Sequence, residues 1–283
     1  MTNSIQSNEA TEPKPGDLQA EKDGATMHPI PSGFSGFRDV DFVERTPLTH
    51  DVDHYKFTYH YSSDPSEPIP SLSVVLVRTP YSQRRWYTPI FNEDVGYVHL
   101  AIKNYERSCS GALAKMNPGD KGIQISNCKP HFTPALPFDK YKQVHLIGAG
   151  VGLSPLFQYM NSCLKDPNST TKFKLIYSNH SEKDIIFKKD LEELQEKNPE
   201  RVEIVHVLKT QTDGDKSKFV KYVGSRLDKE MLTNELAEGA GDDDVIALVC
   251  GPDSFVRMVA GRWWWYGGAL RDIGYKKSQV FFL

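Results

Sequence analysis

The sequence of 283 residues lacks the marks of several protein classes. It has four cysteines without C-x-x-C spacing, so we expect neither a zinc site nor a disulfide framework, and the thiols should be reduced. No apolar run approaches the roughly 18 to 20 residues that span a bilayer, and no apolar signal core stands at the start. The formal net charge of −3 offers nucleic acid no broad basic face. We therefore expect a soluble monomer without metal or nucleic acid, whose membrane association would need a segment absent from this sequence.

What is present divides the sequence into three parts. Residues 1–35 are rich in Ser, Asn, Glu, Lys, Pro and Gly, which predicts a disordered tail. Residues 36–138 contain short β-prone runs between turn residues, which predicts a small β barrel. In residues 139–283 strands and helices alternate, which predicts a parallel sheet covered by helices. The expected strands are 37–45, 54–61, 72–78, 97–103, 122–126, 144–147, 173–177, 202–208 and 245–249, and the expected helices are 156–164, 184–196 and 229–238.

A glycine-rich turn lies between a strand and a helix of the third part. It reads Gly148-Ala149-Gly150-Val151-Gly152-Leu153-Ser154-Pro155. We expect Ser154 to cap the helix and Pro155 to occupy its first turn, so that the unpaired N–H groups of the helix face the glycines and can bind a pyrophosphate. The alternative is a tight turn without a ligand. The G-x-G-x-G spacing differs from the G-x-G-x-x-G of the usual Rossmann dehydrogenases.

Cys250-Gly251-Pro252 directly follows the apolar strand 245–249. Open α/β sheets bind ligands at the carboxyl ends of their strands, so these three residues are candidates for the same nucleotide site. The alternative is a buried cysteine before a Gly-Pro turn, since free cysteine is usually buried.

The β region contains Arg85-Trp86-Tyr87-Thr88-Pro89. The planar guanidinium of Arg85 suits a pyrophosphate, because it can donate two parallel hydrogen bonds. Tyr87 lies two positions further on the same face of a strand and offers a ring for a flavin, while Thr88 adds a hydroxyl and a main-chain N–H near its reactive edge. The alternative is an ordinary barrel strand with polar residues pointing outward.

Taken in order, these strings resemble the ferredoxin-NADP reductase superfamily, and within it the NADH-cytochrome b5 reductases most closely. The resemblance covers residues 37–283. Further strings that contribute are Ile102-Lys103-Asn104-Tyr105, Ser110 with Leu113, Met116, Gly119 and Asp120, Tyr177-Ser178-Asn179 with Glu182 and Asp184, Lys229-Glu230-Met231-Leu232, and Gly274-Tyr275 with Val280-Phe281.

The resemblance implies a six-stranded antiparallel FAD barrel followed by a parallel-sheet NAD(P)H domain. It also implies roles for individual residues. Arg85 would bind FAD phosphate, Tyr87 would pack on the isoalloxazine, and Thr88, followed by Pro89, would sit by its N5. Lys103 and Tyr105 would line the FAD, and Ser110 would contact its pyrophosphate region. The nicotinamide nucleotide would face Gly148, Gly150, Gly152, Ser154, Pro155, Asn179, Asp184, Gly251 and Pro252, with Cys250 near the nicotinamide ring.

Three segments depart from the family pattern. Arg107-Ser108-Cys109 stands where a glycine is usual, and Asn127-Cys128-Lys129-Pro130-His131 stands where G-P-x-G is usual. Trp263, Trp264 and Trp265 are adjacent, so at least one is expected at the surface or an interface, unless all three form a packed cap over the C-terminal strand. This ending is similar to fungal mitochondrial flavoproteins that support haem attachment to cytochrome c.

The function expected from these features is an FAD-dependent NAD(P)H oxidoreductase that passes single electrons to a haem protein such as cytochrome b5. The segment between Tyr177 and Ile186 contains no arginine that could bind a 2′-phosphate, and Glu182 and Asp184 would repel one. We therefore expect the enzyme to favour NADH over NADPH. The alternatives are a mitochondrial reductase that supports haem attachment and a non-catalytic flavin-binding module. The expected location is the cytoplasmic face of a membrane or the mitochondrial intermembrane space.

Overall fold

The computed structural model describes residues 36–64, 66–91, 94–132, 140–210, 219–262 and 265–283. The predicted tail (1–35), the predicted boundary between residues 138 and 139, and both Trp263 and Trp264 lie outside the described residues.

The first part of the chain is antiparallel throughout. Alternation of buried and half-exposed side chains on the central strands, such as buried Tyr55 and Phe57, turns one face of each strand toward a common core. The strands are β1 (Arg38–Asp39), β2 (Phe42–Pro47), β3 (Val52–Thr58), β4 (Ser73–Arg78), β5 (Arg84–Tyr87), β6 (Tyr97–Lys103), β7 (Gln124–Ile125) and β8 (Lys129–Pro130).

These strands close into a barrel. One sheet has the order β2-β3-β6 and the other the order β1-β7-β4-β5, with β8 on the side of β4. A bridge between Pro89 and Leu100 joins β5 to β6, and β1 continues into β2 after the break at Val40 and Asp41. With β1 and β2 taken as one interrupted strand, six strands form a closed ring, which confirms the predicted six-stranded barrel.

The second part contains a six-stranded parallel sheet, as predicted. The order is β12-β11-β10-β9-β13-β16. Its strands are apolar because both faces are covered by helices. The elements of this part are β9 (Gln143–Ala149), α2 (Leu153–Lys165), β10 (Lys172–Asn179), α3 (Lys188–Lys197), β11 (Val202–Leu208), β12 (Val220–Val223), α4 (Lys229–Leu236), β13 (Val245–Cys250), α5 (Asp253–Ala260), β14 (Gly261–Arg262), β15 (Trp265–Tyr266), α6 (Gly268–Ile273) and β16 (Val280–Phe282). The first helix of the chain, α1 (Cys109–Ala114), belongs to the barrel part.

The bounds of all three predicted helices differ from the structure, most of all at the start of α3. The helix expected from residue 184 begins at Lys188. Glu182–Asp184 forms a separate 3-10 turn, in which Asp184 accepts hydrogen bonds from the backbone and side chain of Ser181. Phe187 then takes a left-handed conformation, with φ of 54°, so the turn cannot continue into the helix.

Helix α2 of the sheet part makes direct contacts with the barrel. The backbone N–H of Leu72 donates to the Gln158 side-chain oxygen (2.8 Å), and the hydroxyls of Ser71 and Ser162 are 2.6 Å apart. Phe91, from the loop after β5, also packs against helix residue Phe157 at 6.4 Å between ring centres. Buried barrel residues such as Val52 and Leu72 thus share one core cluster with residues of the sheet part. None of the helices among the described residues has the length and hydropathy to cross a membrane.

We predict that acid destabilises the fold through two histidines of the sheet. Burial lowers the pKa of His145 and of His206 to about 4. Neither ring nitrogen of His206 has a hydrogen-bond partner among the described residues. The unfolded chain binds the proton first, because its histidines have a pKa near 6.5. Stability is therefore complete above about pH 6.5 and falls toward pH 4, by as much as about 1.4 kcal/mol per pH unit for each histidine.

Urea denaturation followed by circular dichroism at pH 7.5 and pH 5 measures this loss. His206→Leu should lose less stability between the two pH values than the unchanged protein, while His60→Gln, which alters an exposed histidine, should behave like the unchanged protein. Equal losses in all three proteins would contradict the assignment.

Candidate functional site

The candidate site lies where the sheet reverses its strand order. From β9 the chain proceeds outward through β10, β11 and β12, then crosses back so that β13 pairs with β9 on its other side. The glycine turn follows β9, and Cys250-Gly251-Pro252 follows β13. Both motifs therefore meet at the switch point, where a crevice opens between diverging connections.

The two motifs touch through their backbones. Gly150–Gly152 forms a 3-10 turn, and Gly150 has a φ of 54°, which favours glycine. A Cβ at position 152 would lie 2.5 Å from the Cys250 carbonyl oxygen and 2.7 Å from the Gly251 nitrogen. Gly152 is thus required by this contact and not by its own φ, which is −62°.

The start of α2 corrects one sequence expectation. Ser154 does not cap the helix, because the 3-10 turn runs directly into it and Gly152 occupies the cap position without a side-chain hydrogen bond. Pro155 lies in the first turn, as expected. The Ser154 hydroxyl is buried and has no hydrogen-bond partner among the described residues. This unsatisfied donor at a helix start suits a phosphate oxygen, so the turn fits a pyrophosphate.

A cleft of about 470 Å³ lies between the barrel and the sheet. Asp51, Val52 and Lys103 line it from the barrel side. The predicted nucleotide residues Gly150, Asn179, Asp184 and Pro252 line it from the sheet side. Lys209, Arg226, Phe255 and Met258 also line the cleft and were not identified from the sequence, because each comes from a segment without a recognised motif.

The acidic groups at the cleft already have partners. Lys103 Nζ is 2.7 Å from Asp51 Oδ2, and Asp184 accepts two hydrogen bonds from Ser181. Glu182, expected to repel a 2′-phosphate, pairs with Lys188 at 2.7 Å. Lysines therefore neutralise Asp51 and Glu182, while Asp184 has no lysine or arginine partner among the described residues.

The predicted FAD residues occupy the barrel. Arg85 and Tyr87 share a face of β5, and the guanidinium of Arg85 lies 5.5 Å from the centre of the Tyr105 ring. That guanidinium has no hydrogen bond among the described residues, so its donors can bind phosphate. Tyr87 has a half-exposed ring and a buried hydroxyl, and burial holds the pKa of Tyr87 well above its usual value. Arg85 and Tyr87 thus fit a phosphate and a ring, respectively.

Thr88 makes a contact that the sequence did not predict. Its hydroxyl oxygen lies 3.2 Å from Nε2 of His131, which belongs to the segment that departs from G-P-x-G. The ring of Phe132 next to it packs on Phe281 of β16, with 5.4 Å between ring centres. Since β16 pairs with β13, this chain of contacts places the Thr88 end of the barrel beside the strand that ends at Cys250.

The loop before α1 is held together by hydrogen bonds between its own residues. Ser110 is buried, and its hydroxyl accepts from the Tyr105 N–H (3.1 Å) and lies 2.8 Å from the Ser108 hydroxyl. The backbone of Tyr105 approaches so closely that a Cβ at Gly111 would lie 2.2 Å from its carbonyl oxygen. The hydroxyl of Ser110 is therefore engaged within the loop, and the unusual Arg107-Ser108-Cys109 segment supplies a second serine to hold it.

Cys250 carries a neutral thiol. Burial raises the pKa of the Cys250 thiol to about 12. A thiol with such a pKa is a poor nucleophile at neutral pH, because the thiolate is the reactive form. Its position at the end of β13 is therefore suited to packing against a ligand.

Sequence comparison with known proteins gives three findings. The model of the oxidoreductase NAD-binding domain family matches residues 146–261. NADH-cytochrome b5 reductase 2-B of Vanderwaltozyma polyspora is 32% identical over 271 residues, covering 88% of this chain and 85% of that protein. NADH-cytochrome b5 reductase 1 of Candida glabrata is 30% identical over 228 residues, covering 79% of this chain and 77% of that protein.

A solved structure shares the fold. The cytochrome b5 reductase domain of Ulva prolifera nitrate reductase superposes with a TM-score of 0.71 at 22% identity, covering 87% of this chain and 97% of that one. The arrangement of a barrel followed by a parallel sheet is thus that of these reductases.

We predict that Gly152→Ala separates the two turns and destabilises the protein by about 1 to 3 kcal/mol, the usual cost of overpacking. Gly148→Ala is the matched control, because its Cβ would meet the movable Leu156 side chain (2.8 Å) and no backbone atom within 3.4 Å. Chemical denaturation of both variants measures the difference. A smaller loss for Gly152→Ala than for Gly148→Ala would show that the backbone contact is not tight.

Proposed function

The chain belongs to the NADH-cytochrome b5 reductase family, and we propose that it oxidises NADH through bound FAD and passes the electrons to a haem protein. It is an FAD-dependent NADH oxidoreductase. The observation that carries the proposal is the cleft, in which Lys103 of the barrel and Gly150 of the nucleotide turn line one space. A flavin on the barrel and a nicotinamide nucleotide on the sheet can meet there.

We propose that residues 36–138 form the FAD domain and residues 139–283 the NADH domain. Bound FAD would supply the capacity to take hydride from NADH and to give up electrons singly to a haem protein, for which cytochrome b5 is the acceptor that we propose. The protein positions the two cofactors and excludes water from between them.

The proposed roles follow from the contacts described above. Arg85 binds the FAD phosphates, held by the Tyr105 ring, and Tyr87 supports the flavin with its half-exposed ring. Thr88 lies at the reactive edge, where His131 orients its hydroxyl. Cys250 packs beside the nicotinamide as a neutral thiol. The remaining proposed cofactor residues are Pro89, Lys103, Tyr105 and Ser110 for FAD, and Gly148, Gly150, Gly152, Ser154, Pro155, Asn179, Asp184, Gly251 and Pro252 for NADH.

The purified protein tests the proposal directly. It should be yellow, and anaerobic addition of NADH should bleach the flavin absorbance, which cytochrome b5 then restores while becoming reduced itself. A yellow protein that NADH does not bleach would instead be a non-catalytic flavin-binding module.

We predict that Arg85→Ala lowers FAD affinity about 10- to 150-fold, because a charge-assisted hydrogen-bond pair contributes about 1.5 to 3 kcal/mol. Flavin retained after dialysis measures the loss. Arg84→Ala is the control, since Arg84 is an exposed neighbour on the opposite face of β5 and should keep its flavin. Equal retention in both variants would remove Arg85 from the site.

We predict that Cys250→Ala retains FAD but slows its reduction by NADH, because a nicotinamide displaced by about 1 Å can react on the order of 100-fold more slowly. Stopped-flow absorbance measures the rate. Cys163→Ala, which removes a buried thiol whose pKa is also raised to about 12, should react like the unchanged protein. If the flavin of Cys250→Ala is reduced at the unchanged rate, Cys250 does not position the nicotinamide and only packs in the protein core.

A further inference from the structure

Two basic side chains of the cleft have no part in the function described so far. Lys209 directly follows β11, and Arg226 lies between β12 and α4. Both line the cleft together with Asn179 and His180. Lys209 is half-buried, and Arg226 is exposed to solvent, so both can meet a ligand that enters.

Backbone hydrogen bonds hold both segments at the carboxyl end of β11. The N–H of Lys209 donates to the Asn179 carbonyl oxygen (3.1 Å). The N–H of Gly224, two residues before Arg226, donates to the Leu208 carbonyl oxygen (3.0 Å). The two cations are therefore brought to one end of the cleft by the sheet itself.

This end is separate from the glycine turn. The turn follows β9, and the sheet order places β11 two strands away from β9. Neighbouring strands are about 4.8 Å apart, so the two positions are separated by about 10 Å, roughly the extent of a nucleoside. A dinucleotide whose pyrophosphate lies at the glycine turn can thus extend its adenosine toward Lys209 and Arg226.

The charge at this end is positive. Of the two carboxylates that line the cleft, Asp51 is paired with Lys103 and Asp184 accepts hydrogen bonds from Ser181. Lys209 and Arg226 therefore outnumber the one carboxylate of the lining that no lysine pairs with. Within the described part of the chain, neither Lys209 nor Arg226 has a carboxylate partner. Two cations that face a cleft without a counter-ion form a site for an anion, and an arginine suits a phosphate especially well because its donors match phosphate oxygens in pairs.

We propose that Lys209 and Arg226 bind the 2′-phosphate of NADPH, so that the enzyme accepts NADPH as a second hydride donor besides NADH. The inference rests on the proposed function, since it assumes that the dinucleotide lies in this cleft. NADPH supplies the same hydride to FAD and leaves as NADP⁺, and its 2′-phosphate takes no part in the transfer. With NADH the two cations remain hydrated, so NADH is not rejected.

Calorimetry on the FAD-loaded protein isolates the 2′-phosphate. The probes are adenosine 2′,5′-bisphosphate and adenosine 5′-monophosphate, which differ in that group alone. The bisphosphate should bind at least about tenfold more tightly, and Lys209→Gln and Arg226→Gln should each remove most of this advantage. Lys172→Gln is the matched control, because it removes one exposed charge at the opposite end of β10 and should leave the advantage unchanged.

The same variants separate a 2′-phosphate site from a pyrophosphate site. Stopped-flow reduction of the flavin should show a second-order rate constant for reduction by NADPH at least about tenfold lower in Arg226→Gln, with the value for NADH within about twofold of the unchanged protein. Equal binding of the two probes, or equal losses with NADH and NADPH, would overturn the proposal. Failure of NADH to bleach the flavin of the unchanged protein would instead overturn the proposed function.

Discussion

The contact between Gly152 and the Cys250 carbonyl is the constraint on which the site depends. It joins the turn after β9 to the turn after β13 at a distance that no other residue at position 152 would permit. Because the two strands are neighbours, the contact fixes both turns relative to the sheet, and it leaves Gly150 facing the cleft. The proposed nucleotide residues are therefore positioned by the backbone, which varies less than side-chain rotamers.

The barrel must be held with similar accuracy, because hydride transfer depends on the distance between two cofactors that we propose for different parts of the chain. Helix α2 provides this by starting at the glycine turn and then bonding to the barrel through Gln158 and Ser162. Phe91 adds an aromatic contact, and it lies three residues after Thr88. The same elements thus define the proposed nucleotide turn and limit the movement of the Thr88 end of the barrel, where we propose that the flavin edge lies.

Much of this arrangement could be predicted from the sequence, because the signals are local. Alternating and apolar runs predicted the barrel and the sheet, and strands 97–103 and 202–208 have the expected bounds. The Ser154 cap was wrong because a 3-10 turn without a distinct sequence signal precedes α2. His131, Lys209 and Arg226 could not be assigned, since each reaches its site only through pairing of distant strands. For His131 the only feature of the local sequence that indicated an unusual contact was the departure from the family pattern at residues 127–131.

The pairing of β13 with β9 has a consequence for how the protein is made. Gln143 pairs with Val245, and the backbone of Leu283 still donates to Val249. A ribosome therefore releases β9, β10 and β11 long before the strand that completes the centre of the sheet. During this interval the apolar edge of β9 is open, and such edges invite pairing with other chains. The crevice cannot help the nascent chain to fold during this interval, because the turn after β13, which forms one of its walls, is synthesised about a hundred residues after the turn that follows β9.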